Sequence, residues 1–158
     1  MKDFLIIGNL NAVTYKQVFP LIKAGRVSLG VSIHSGDREF EVADDYPLEA
    51  AGCRVGADGR KFIRVKGVRW FPTLPIKGCP PLTLTVTYTP EAYPKYDNYD
   101  AINVDKTKDI PCDYDGVMGV PISFLDKWCP EQFEIVDAEN QPEVKGARIY
   151  KRLIIRRK

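Results

Sequence analysis

The sequence predicts a mixed α/β chain, α+β in detail, and three observations lead there. An apolar run at Phe4 to Ile7 is followed by a helical pattern and then by an alternating segment, Arg26 to Ile33. From Gly52 onward the pattern is β-rich, with glycine turns and period-two alternation. The 158 residues, 44% hydrophobic and 28% charged, have the size and apolar content of one globular domain spanning 1–158.

Each element follows in order. Phe4 to Ile7 ends in Gly8-Asn9, a strand running into a turn. Thr14, with Gln17 completing a capping box, predicts a helix from Tyr15 to Lys23 closed by Gly25, although Pro20 falls inside it. Val27, Leu29, Val31 and Ile33 alternate on one face of a second strand, giving a strand–helix–strand unit with both strands in one sheet. Gly52 to Val55 and Arg60 to Val65 flank Gly56-Ala57-Asp58-Gly59, a hairpin signature. Leu84, Val86 and Tyr88 alternate with Thr83, Thr85 and Thr87 in a strand with one wet face. The stretch from Thr89 to Pro121 is rich in turn formers and is expected to be mostly irregular and packed on the sheet. Pro121 to Asp126 reads as a short helical turn. Phe133 to Val136 and Ile149 to Ile155 read as terminal strands joined by a polar turn region.

Several classes are excluded. No apolar run approaches the roughly 20 residues of a membrane span, and the start lacks a signal-peptide cleavage site, so a soluble, cytoplasmic chain is expected. Cys53, Cys79, Cys112 and Cys129 form no C-x-x-C pair and His34 has no partner at ligand spacing; four reduced, mostly buried thiols are expected. Asp109, Asp113 and Asp115 lack the glycine and distal glutamate of a calcium loop. With one histidine and no G-x-S-x-G, nucleophilic catalysis finds no support. The net charge of +2 hides a strong distribution. Basic residues gather in Arg60 to Arg69 and in the last eleven positions, and acids in Asp97 to Asp115 and Glu131 to Glu143.

Longer words carry more. These are Phe4 to Lys16, Gly36-Asp37-Arg38-Glu39-Phe40, Arg64 to Phe71 (Arg-Val-Lys-Gly-Val-Arg-Trp-Phe), Tyr96 to Val104 and Pro111 to Pro121. In this order they resemble the C-terminal part of EcoRI-type adenine-specific DNA methyltransferases. The resemblance covers nearly the whole chain. It implies the C-terminal part of a Rossmann-like methyltransferase sheet with a β-rich, loop-rich extension. It also implies S-adenosylmethionine as methyl donor, DNA as partner, and methylation of adenine N6 in a restriction–modification setting. The family's glycine-containing cofactor loop and Asn-Pro-Pro-Phe/Tyr motif lie upstream of the segment matching Phe4, and no Asn-Pro dipeptide occurs here. No catalytic or cofactor residue is therefore carried over. The expected partner is an upstream methyltransferase half, without which the chain is expected to be inactive.

Methylating an adenine within a duplex requires the base to leave the stack. Trp70 and Phe71, after a basic strand and before a proline-rich loop, are the candidates for an aromatic platform, with ordinary core packing as the other reading. Lys61, Arg64, Lys66 and Arg69 are the candidates for phosphate contact, or else a solvated strand face. Arg38 suits pairing with a neighbouring carboxylate. Arg156-Arg157-Lys158 either touches DNA or is a frayed basic tail, the latter being expected. Two other functions compete: a stand-alone nucleic-acid-binding module, marked by a closed core, and a nuclease suggested by the E-x-K at Glu143-Val144-Lys145, which also reads as a turn.

Overall fold

The computed structural model describes residues 3–30, 38–47, 49, 52–74 and 80–158. The chain opens with β1 (Leu5–Asn9) and a 3₁₀ turn over Leu10–Thr14. That turn is capped by Asn9, whose side chain accepts from the Asn11 amide at 2.9 Å; Thr14, expected to cap the helix, lies inside the turn and donates to Asn11 O, and the helix cap position, Val18, makes no side-chain cap bond. The true helix, α1 (Phe19–Lys23), is five residues long and keeps Pro20 in its first turn. This corrects the helix expected from Tyr15. A proline has no N–H to give and clashes in a helix interior, so the helix can start only just before it. The expected C-terminus is correct: Gly25 has φ +66°, and the Arg26 and Gly25 amides return to the Leu21 and Ile22 carbonyls in a Schellman closure.

That closure takes Arg26 and Val27 out of the strand expected there. Extended chain begins only at Ser28, whose amide bonds Pro72 O at 3.0 Å, followed by Gly30 to Trp70 O at 2.9 Å. The remainder of the expected strand and His34 lie outside the described residues. Next come β2 (Arg38–Val42), β3 (Cys53–Val55), β4 (Lys61–Val65) and β5 (Val68–Pro72). The hairpin forms as predicted: β3 pairs with β4, Gly59 takes φ +81°, and the Gly56 amide bonds Arg60 O at 2.8 Å. β2 pairs along the other edge of β4. β5 pairs antiparallel with β1, placing Ile7 opposite Trp70 and Ile6 opposite Phe71. Among the described residues, the two early extended segments are thus joined through β5 and not to one another.

The alternation at 82–88 is real, with the threonines exposed and Leu82, Leu84, Val86 and Tyr88 half-buried against the core, although only Val86 bridges a neighbour, Pro111. The stretch from Thr89 to Pro121 is largely irregular, yet it supplies two strands of the main sheet, β6 (Ile102–Asn103) and β7 (Met118–Pro121). A 3₁₀ helix at Ile122–Lys127 matches the predicted turn. Then follow β8 (Phe133–Glu139), the small hairpin β9 (Glu143–Val144) and β10 (Ala147–Arg148), and β11 (Arg152–Arg157). The main sheet has the order β6-β7-β11-β8. The expected frayed tail is therefore corrected. β11 is an inner strand, Leu153, Ile154 and Ile155 are fully buried, and its cations are neutralised at the sheet ends: Arg156 by Glu134, Arg157 by Asp115, Arg152 by Asp105. The fold is sheet-rich with few helices, so the α component is smaller than predicted.

The core joins Val13, Ile22 and Phe71 to Ile102, Val120, Phe124, Phe133 and Leu153. At its edge a polar knot is buried without loss. Tyr96 donates to Asn103 Oδ1 at 2.9 Å, Arg152 Nε reaches the same oxygen at 3.3 Å, and Asn103 donates to Asp105 at 2.8 Å. Burial pushes the Tyr96 hydroxyl well above its ordinary range and keeps it protonated. Of the cysteines described, Cys129 is buried and Cys53 and Cys112 are half-buried.

Candidate nucleic-acid interface

β1 ends at a junction that sets the geometry of the site. Asn9 donates from its side chain to Lys66 O at 2.8 Å, and the Leu10 amide bonds Gly67 O at 2.6 Å. These bonds tie the end of β1 to the tight turn between β4 and β5, where Gly67 supplies φ +67°. Above the junction opens a cleft of about 370 Å³, lined among others by Asn9, Tyr46, Cys53, Ile63, Arg64 and Lys66. Tyr46 is 43% exposed at its mouth. The sequence signal for Tyr46, an aromatic after two aspartates and before a proline, is local and weak.

The six predicted residues part company here. Arg64 and Lys66 are exposed, and both line the cleft. Lys61 is half-buried, its ammonium held by the Asp44 carbonyl. Arg69 is buried at 8% exposure, with Asp126 at 3.7 Å and the Val68 carbonyl at 3.2 Å, so it anchors β5 to the distant 3₁₀ helix Ile122–Lys127. Phe71 is core, 6% exposed, its ring over Gly8, where a Cβ would meet it at 2.9 Å. Trp70 points to the opposite face of the β1–β5 pair and is half-buried; Gly30 lies so close beneath it that a Cβ there would meet Trp70 Cβ at 2.7 Å.

The strand face around Arg64 is less basic than its sequence implies. Arg54 grips Glu39 with two hydrogen bonds at 2.8 and 2.7 Å, and its hydrogen bonds hold that exposed carboxyl below the usual range. Arg60 reaches both Asp58 and Glu41. Phe62 lies beneath Arg54, 4.4 Å from ring centroid to guanidinium. Glu143 and Lys145, the nuclease candidates, occupy the β9–β10 hairpin, Glu143 bonded to Arg148 at 3.0 Å and Lys145 at φ +52° in the turn. Asp109, Asp113 and Asp115 serve as loop supports: Asp113 accepts the Tyr88 amide, the Asp109 carbonyl accepts the Tyr93 hydroxyl, and Asp115 pairs with Arg157.

The family described as adenine-specific methyltransferase EcoRI matches residues 1–158. The type II methyltransferase M.EcoRI of Escherichia coli is 44% identical over 166 residues, covering 99% of this chain and 51% of that protein. The type II methyltransferase M.MpnI of Mycoplasma pneumoniae is 33% identical, covering 99% and 57%, and M.MgeORF184P of Mycoplasma genitalium is 35% identical, covering 89% and 46%. The chain thus spans about half the length of these relatives. No solved structure matches it. No helix among the described residues is long and apolar enough to cross a membrane.

Proposed function

The chain belongs to the adenine-specific methyltransferase family of the EcoRI type, and we propose that it forms the DNA-recognising, sheet-completing part of an adenine N6-methyltransferase. The observation that carries this reading is β1. Leu5, Ile6 and Ile7 are consecutive large apolar residues, 57%, 53% and 47% exposed, in a strand that, among the described residues, is paired along one edge only. Unbroken apolar strands belong inside parallel sheets with both faces covered, not at a bare edge. We place against that edge a strand from the half of the relatives that this chain does not match, which makes β1 an inner strand of a Rossmann-like sheet. A stand-alone binding module has no use for such an edge.

On this reading the cleft at the end of β1 faces DNA. Arg64 and Lys66 meet phosphates, Trp70 and Tyr46 are the aromatics available to an extruded adenine, and Arg69 and Phe71 hold β5 in place from within. S-adenosylmethionine is the methyl donor implied by the family, and the described residues do not fit it. Gly8 is closed off by the Phe71 ring, while the Asn9 side chain is engaged by Lys66 O and the Asn11 amide. Its site therefore belongs to the half of the relatives that this chain does not match.

A salt titration of DNA binding, with and without S-adenosylmethionine, tests this. Binding should fall steeply with salt and ignore the cofactor. Lys66→Ala and Arg64→Ala should each flatten the logarithmic salt slope by about 0.9. Arg69→Ala should instead lower stability. Absence of binding at low salt would remove DNA recognition from the chain.

A further inference from the structure

We propose that Tyr15, Tyr150 and Lys151 form a second DNA contact, a stacking surface for unpaired nucleotides, held on the 3₁₀ turn that follows β1. The inference rests on the DNA-binding reading above. Tyr15 and Tyr150 are 51% and 61% exposed, yet both are held. The Tyr150 hydroxyl bonds the Asn11 side chain, and the Lys151 ammonium stands 5.7 Å over the Tyr15 ring while donating to Thr14 Oγ1 at 3.3 Å. Rings fixed in this way have little freedom left to lose when a base stacks on them.

Charge points the same way. In the basic C-terminal run, Arg148, Arg152, Arg156 and Arg157 are each paired with a carboxylate. Among the described residues, neither Lys151 nor Lys16, beside Tyr15, is in an ion pair. An aromatic pair with uncompensated cations suits a nucleic-acid strand, which offers π-faces and phosphates together. Location adds a third reason. Asn11 and Thr14, which hold Tyr150 and Lys151, sit on the same 3₁₀ turn whose cap, Asn9, lines the cleft. One strand can therefore engage both surfaces around a single structural support.

The test is binding of the chain to a fluorescein-labelled single-stranded oligodeoxynucleotide and to its duplex. Tyr15→Ala and Tyr150→Ala should each weaken single-strand binding roughly five- to a hundredfold. Tyr150→Phe, which keeps the ring, should stay close to wild type, and Lys151→Ala should flatten the salt slope by about one unit. Unchanged melting temperatures confirm that these exposed positions were altered without unfolding. If the Tyr15→Ala/Tyr150→Ala double variant binds like wild type while Lys66→Ala weakens binding, this surface is not a DNA contact and the cleft reading stands. That result is also expected if another protein segment covers the tyrosines. If the wild-type chain binds no DNA at all, both fail.

Discussion

Phe133→Ala is expected to lower the unfolding free energy by about 3–5 kcal/mol, the largest loss of any single side chain considered. Phe133 is fully buried at the start of β8 and meets Phe124, also fully buried, edge to face at 5.5 Å and 87°. Both belong to the cluster joining β7, β11 and the 3₁₀ helix at Ile122–Lys127. Removing the ring loses its transfer free energy and leaves a void that Phe124, fixed in the 3₁₀ helix, cannot fill. Domains of this size are stable by only about 5–15 kcal/mol, so the variant should unfold at a much lower urea midpoint with an unchanged slope. Val55→Ala, at a position 56% exposed, should change stability by less than about 0.5 kcal/mol. A loss below about 1 kcal/mol for Phe133→Ala would contradict the packing described.

Ile6→Lys is expected to have the next largest effect, on association. An edge left unpaired among the described residues, with three exposed apolar side chains, invites pairing with another copy, so the isolated chain should self-associate as concentration rises. Ile6 lies at the centre of that run. A lysine there removes about 1.5–3 kcal/mol of apolar burial from any edge-to-edge contact and adds charge repulsion, weakening association by at least about tenfold. Sedimentation velocity over a concentration series reads this directly. Association that persists unchanged in Ile6→Lys would show that β1 is not the sticky edge.

What was legible in the sequence was local. The hairpin at Gly56 to Gly59 follows from turn chemistry and forms, whereas the threonine alternation at 83–87 appears as alternating exposure with a single bridge at Val86 and not as the expected strand. The start of α1 was misplaced because a good capping box at Thr14 competes with Pro20, and the proline decides. β7 was invisible because it is short and contains Gly119, whose value appears only when Tyr96 packs against it and donates to its carbonyl at 3.2 Å. The C-terminal run looked like a tail because its partners, Glu134, Asp115 and Asp105, come from other parts of the chain. The site divides by the same rule. Exposure of Arg64 and Lys66 follows from their strand and turn, whereas burial of Arg69 depends on distant Asp126, and the exposed tyrosines at 15, 46 and 150 carry no periodic signature.

The most direct test of the proposed role is methyl transfer by a chimera. The part of the Escherichia coli relative that this chain does not match is joined ahead of Asp3, and transfer of labelled methyl from S-adenosylmethionine to adenine in DNA is followed. The chimera should methylate adenine N6, the isolated chain should not, and Ile6→Lys in the chimera should abolish the activity by barring β1 from the sheet. A well-folded chimera that binds S-adenosylmethionine but transfers no methyl group, or one indifferent to Ile6→Lys, would contradict the role given to β1 and to this chain.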